Sequence, residues 1–183
     1  MKNPVSARSR IYRITLDAMM IAIFVAFSMV PSELSWASLP VILSAFLFGP
    51  VDAVLIAACG SFIEQMWYGL SFASFLWMLP WLVFALFIGI CAALINRRPR
   101  FWKMALAIVC AEILLSVGNT TALLGFGYVS VDPAKFSEGL AMPFVVILTY
   151  IVRMPQGIIR ALLSSLVVPI LLPPLRKVLN RIS

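Results

Sequence analysis

The stretch Trp36-Ala37-Ser38-Leu39-Pro40-Val41-Ile42-Leu43-Ser44-Ala45-Phe46-Leu47-Phe48-Gly49-Pro50 decides how this chain is organised. Its apolar part, 36–48, has 13 residues, roughly 20 Å of helix against a hydrocarbon core of about 30 Å. The apolar runs around it are 11–30, 51–67, 76–95, 101–124 and 143–172; four of them are long enough to span alone, and 51–67 is borderline. Whether 36–48 crosses the membrane therefore sets the topology.

Charge parity answers the question. Of the 14 basic residues, 11 fall in three clusters flanking apolar runs: Lys2, Arg8, Arg10 and Arg13; Arg97, Arg98, Arg100 and Lys103; and Arg176, Lys177 and Arg181. If 36–48 crosses, all three clusters share one side, which the positive-inside rule makes the cytoplasm. If it does not, they are split. The expected architecture is thus an all-α integral membrane bundle of six transmembrane helices, with the N- and C-termini both inside and a short second helix. The turn at Gly49 and Pro50 then faces inward, and the polar loops 31–35, 68–75 and 125–142 face outward. A crossing this short leaves a gap, which either lines a ligand cavity or is filled by a tilted neighbour.

Composition agrees: 63% of the residues are hydrophobic and 11% charged, outside the range of soluble domains. The polar segments are too short for linkers, so residues 1–183 read as one domain. The net charge of +7 does not indicate nucleic-acid binding, because the charges flank spans and form no basic face on a water-exposed domain. Cys59, Cys91 and Cys110 stand singly without metal-ligand spacing and read as packing residues. The run 14–30 is longer than a signal-peptide core and reads as a retained helix, despite the weak cleavage pattern at Ser35 and Ala37.

The chain has no histidine, which removes Ser-His and Cys-His catalysis and most transition-metal sites. No phosphate-binding Gly-rich loop is present, so the chain does not hydrolyse ATP, and no cofactor is expected. What remains is a set of polar groups inside the spans, where their cost makes function the default hypothesis. Arg153, Gln156 and Arg160 lie three, four and seven apart, on one helical face. Glu112 and Asn119, seven apart, share another, and Glu64 with Gln65 sits near the outer end of the third span. Glu112 and one arginine are expected to form an internal ion pair, a ligand role being the alternative. Arg160, deeper toward the cytoplasm, reads as structural or coupled to a partner; Arg153, nearer the outside, can hold a carboxylate with two parallel hydrogen bonds.

Trp36, Trp67, Tyr68, Trp77, Trp81, Tyr128 and Tyr150 gather at outer helix ends and mostly suit an interfacial belt. Trp36, Trp67 and Tyr68 flank the outer loops and are positioned to cover a cavity. Ala18, Ala22 and Ala26 form a small-residue stripe on which another helix can pack, within the bundle or from outside.

Together these residues resemble the substrate-binding S components of energy-coupling factor (ECF) vitamin transporters, in their folate-type and pantothenate-type branch. The resemblance covers nearly the whole chain. It rests on Ala18, Ala22 and Ala26, on Leu39-Pro40-Val41-Ile42-Leu43 through Phe48-Gly49-Pro50, on Leu76-Trp77-Met78-Leu79-Pro80, on Asn119-Thr120, and on Arg153 with Pro155 and Gln156. It departs from the pattern after Pro50, where Val51, Asp52 and Ala53 replace glycines, and at Glu64 and Gln65, where a different acidic position is expected. The resemblance implies a multi-pass, non-enzymatic protein of a bacterial plasma membrane that captures a small anionic vitamin, folate or pantothenate, from outside. It implies as partners a membrane-embedded coupling subunit, docked on Ala18, Ala22 and Ala26, and two cytoplasmic ATPases that supply the energy. The loops 31–38 and 68–75 would be lids. Substrate binding is expected from Arg153, Asn119, Thr120, Gln156, Trp36, Trp67, Tyr68 and Glu64. The rival reading is a stand-alone proton-coupled secondary transporter titrating Glu64 or Glu112; a membrane enzyme is a third, weakened by the want of a nucleophile and base pair.

Overall fold

The computed structural model describes residues 7–30, 36–70, 72–96, 100–130 and 142–182, with side chains throughout except at 7–10, 72–73, 123–130, 142–149 and 180–182. Among the described residues six helices follow in chain order: α1 Ala7–Met29, α2 Ser38–Leu47, α3 Pro50–Tyr68, α4 Phe72–Ile95, α5 Phe101–Ser130 and α6 Met142–Ile182. Four of the described stretches are long and apolar enough to cross a membrane: Ile11–Met29, Ser74–Ile95, Phe101–Ala122 and Tyr150–Leu179. With its 19 residues α3 approaches the full hydrocarbon thickness, whereas the 10 residues of α2 cover about half of it.

The short helix is the hub. It packs against α1, α3, α4 and α6, and a helix that is apolar all round has nowhere else to go. Pro40, Val41, Ile42, Leu43, Ser44, Ala45 and Phe46 are all buried. Pro40 sits in the first turn, where its missing N–H leaves no intrahelical bond unmade. The Ser44 hydroxyl donates to the Pro40 carbonyl at 2.7 Å and so is satisfied in an apolar setting. The helix stops where Phe48 and Gly49 both donate their N–H to the Ser44 carbonyl, at 2.8 and 3.2 Å, with Gly49 at φ 111°. A side chain is strained in that left-handed conformation, so glycine belongs there, and Pro50 opens α3 at its first position.

Polar ties gather the helix ends on one side. Arg13, near the start of α1, donates through Nε at 3.1 Å to Asp52 in the first turn of α3, and a terminal nitrogen reaches the same oxygen. Asn96, just after α4, and Arg176, near the end of α6, both donate to the Phe46 carbonyl of α2, at 3.2 and 3.0 Å. The described members of the basic clusters thus stand at the starts of α1 and α5 and near the end of α6, the end of the bundle that also holds the α2–α3 turn. This is the arrangement that parity requires of six crossings. Lys2, Arg97 and Arg98 lie outside the described residues, as do the side chains of Arg8, Arg10 and Arg181.

Helices in lipid associate by close packing more than by hydrophobic burial, so small residues mark the crossings. Gly60 of α3 lies against the Phe24 ring of α1, and Gly89 of α4 lies against the Pro50 backbone, where an added Cβ would come within 2.6 Å of Cα. Phe24, Phe46, Phe84, Ile42, Ile56, Ile88, Ile108 and Leu115 fill the interior.

Two expected loop boundaries move. Phe72–Phe75, read as part of an outer loop 68–75, belong to α4, because an aromatic-rich stretch without proline continues the helix readily. Likewise α5 runs on to Ser130, so the connection expected over 125–142 narrows to 131–141, which lies outside the described residues, as does 31–35.

Candidate functional site

Because α2 covers only the inner half of the membrane, the outer ends of the other helices enclose a space above it. A cavity of about 190 Å³ there is lined by Ser28 of α1, Glu64 and Gln65 of α3, Trp77 and Trp81 of α4, Asn119 of α5, and Arg153 and Arg160 of α6. A smaller cavity of about 90 Å³ lies between α5 and α6, shares Asn119, Arg153 and Arg160, and adds Ser116, Thr120, Gln156 and Gly157. Five of the six helices thus deliver polar or aromatic side chains to the cavity above α2.

The α5–α6 wall owes its shape to helical period. Arg153, Gln156, Gly157 and Arg160 face α5, and Ser116, Asn119 and Thr120 face α6. Gly157 admits the close approach: an added Cβ would meet the Ser116 hydroxyl oxygen at 2.5 Å. The Thr120 hydroxyl donates back to the Ser116 carbonyl at 2.8 Å, and Thr120 is buried. Just outside, Thr121 and Tyr150 join α5 to α6 through a 2.8 Å hydroxyl contact.

Below this wall, Arg160 donates through Nε to Glu112 Oε2 at 2.7 Å, and the Ser164 hydroxyl donates to Glu112 Oε1 at 3.3 Å. Glu112 is fully buried, so this is the internal ion pair expected from the sequence, with Arg160 as the partner. Arg160 also lines both cavities. Arg153 has no hydrogen bond or ion pair to any described residue, and it lines the cavity.

The aromatic residues distribute differently from expectation. Trp67 and Tyr68 are 74% and 69% exposed and line neither cavity; they occupy the outward side of the last turn of α3. Trp36 is half-buried ahead of α2, where its carbonyl accepts the Leu39 N–H at 2.9 Å, and it does not line the cavity either. Trp77 and Trp81, assigned from sequence to the interfacial belt, line it instead. Trp81 is held edge-on between Phe24 and Phe84, with ring centroids 4.8 and 6.1 Å away. The available signal was their four-residue spacing on one face around Pro80. Ala18, Ala22 and Ala26 are all exposed on the outer surface of α1, opposite the buried Asp17 and Phe24.

Among the described residues no group of His, Cys, Asp and Glu is placed to hold a metal ion. What the two cavities can do is bind: together they offer one guanidinium with no partner among the described residues, a second anchored on a carboxylate, three amide side chains, a carboxylate and two indoles. Residues 12–172 match the family described as ECF transporter, substrate-specific component. No curated protein matches the chain.

Proposed function

Since the chain belongs to the family of ECF transporter substrate-specific components, whose members are membrane-integral, substrate-binding transporter subunits and not enzymes, we propose that it captures a small anionic vitamin, folate or pantothenate, from outside the cell. The observation that carries this reading is the convergence of polar side chains on a cavity above a helix of half-membrane length. Arg153 would hold the carboxylate, and Asn119, Thr120 and Gln156 would bond the polar groups beside it. Glu64 faces the same space.

Members of this family work with a membrane coupling subunit and ATPases. We propose that the coupling subunit docks on Ala18, Ala22 and Ala26, a reading supported by their exposure on a smooth face of α1. Energy would then come from ATP hydrolysed by the partners. Family membership weighs against a stand-alone proton-coupled carrier, and of the two acids that rival would titrate, Glu112 is engaged by Arg160 and Ser164.

Equilibrium binding of folate and pantothenate to the purified protein tests the proposal. Saturable binding of one of them that Arg153→Ala weakens is the expected result. Absence of saturable binding by folded protein, or uptake that persists without the ATPases and collapses with the proton gradient, would overturn it.

A further inference from the structure

The cavity has two walls of opposite charge. On the α6 side stand Arg153 and Arg160, the latter already joined to Glu112. On the α3 side stands Glu64, next to Gln65, with no hydrogen bond or ion pair to any described residue. The two walls do not close on each other: α3 packs on α1, α2 and α4, and α6 on α2 and α5. Glu64 lies one turn from the C-terminal end of α3, where the helix carbonyls already concentrate negative potential and no basic residue occupies the last turn. A ligand that displaces water from the cavity strips this carboxylate of its hydration beside a helix C-terminus, and a bound simple acid would satisfy Arg153 while leaving that loss unmatched.

We infer that the captured molecule is two-ended: an acid group held by Arg153 on α6, and at its far end N–H or O–H donors held by Glu64 and Gln65 on α3. Trp77 and Trp81 of α4 line the same space and would pack on a flat or apolar middle section. The inference rests on the capture reading above and narrows it, because it excludes acids whose far end is purely apolar. A site whose buried acceptor must be matched by donors rejects an analogue lacking them far more strongly than it discriminates between apolar shapes.

Matched probe pairs test this. Folate is compared with N-(4-((2-naphthylmethyl)amino)benzoyl)glutamate, which keeps the acid end and a flat bicyclic ring but lacks the ring donors, and pantothenate with N-(3,3-dimethylbutanoyl)-β-alanine, which lacks only the hydroxyls. Binding is measured by titration calorimetry to wild type, Glu64→Gln, Glu64→Leu and Arg153→Ala, with thermal unfolding as the folding control. Wild type should favour the donor-bearing member of one pair by about tenfold or more. Both Glu64 variants should shrink that ratio toward unity while leaving the donor-free acid within about twofold of its wild-type affinity, whereas Arg153→Ala should weaken both members alike. Equal binding of both members by wild type, or an unchanged ratio in folded Glu64 variants, would overturn the inference and leave capture intact. Failure of folded wild type to bind any of the four would overturn the capture reading, and this inference with it.

Discussion

Arg160 and Glu112 lie 48 residues apart in the chain, yet Nε meets Oε2 at 2.7 Å on the floor of the outer cavity. The carboxylate is inaccessible, and the guanidinium reaches from its partner toward the cavity. Glu112→Leu leaves a guanidinium unpaired within the membrane, so it should destabilise by about 3–5 kcal/mol, whereas the double replacement Glu112→Leu with Arg160→Leu should cost clearly less. Thermal unfolding in detergent of Glu112→Leu, Arg160→Leu and the double variant completes the cycle; equal losses in Glu112→Leu and the double variant would contradict a buried pair.

Arg153 differs from Arg160 in having no partner among the described residues. Its removal should leave stability unchanged and weaken vitamin binding by about 1.5–3 kcal/mol, the worth of a hydrogen bond to a charged group, or about 10- to 150-fold. Calorimetry on Arg153→Ala and Arg153→Lys reads this, the lysine variant recovering only part of the loss because a point charge cannot make the bidentate contact.

Gly89 is where α4 meets the turn between α2 and α3. Because its added Cβ would meet backbone, which cannot rotate away, Gly89→Ala should destabilise by about 1–3 kcal/mol, and Gly89→Leu by more. A lowered unfolding temperature with unchanged stoichiometry of vitamin binding in the surviving folded fraction is the expected outcome.

The exposed stripe on α1 should separate binding from transport. Replacing Ala22 by Leu alters neither the cavity lining nor a buried contact, so vitamin affinity should hold within about twofold while co-purification of the coupling subunit and cellular uptake fall. Normal uptake by Ala18→Leu, Ala22→Leu and Ala26→Leu alike would move the docking surface elsewhere.

Topology can be read directly at Val51, which is 72% exposed at the end of the bundle that carries the basic clusters. With Cys59, Cys91 and Cys110 replaced, a Val51→Cys variant should react with a membrane-impermeant maleimide only after the cytoplasmic side is opened. Labelling of intact cells would reverse the orientation.

The helices were legible because spans announce themselves by length and hydropathy, and because parity of Arg13, Arg100 and Arg176 obliged 36–48 to cross. Polar residues at period 3.6 grouped Arg153, Gln156 and Arg160 on one face of the sixth span and Glu112 with Asn119 on one face of the fifth; that the two faces meet is visible only in the fold. The tryptophans were read less well. Trp67 and Trp77 both sit near outer helix ends, and composition cannot tell which points inward; that depends on how α3 and α4 rotate about their own axes when Gly60 meets Phe24 and Gly89 meets Pro50. Helix ends were also underestimated, since a loss of hydropathy marks where lipid stops and does not mark where a helix stops, as the residues of α5 beyond Leu124 illustrate.

The ten residues of α2 have one more consequence. Buried from Pro40 to Phe46 and packed on four other helices, they form a seal about 15 Å thick where a full span would be about 30 Å. When outside water fills the cavity, most of the membrane voltage falls across that seal. A molecule settling against Arg153 from outside therefore crosses little of the electric field, and the strength of capture should be nearly independent of membrane potential; the electrical work is deferred to the step that carries the cargo past α2.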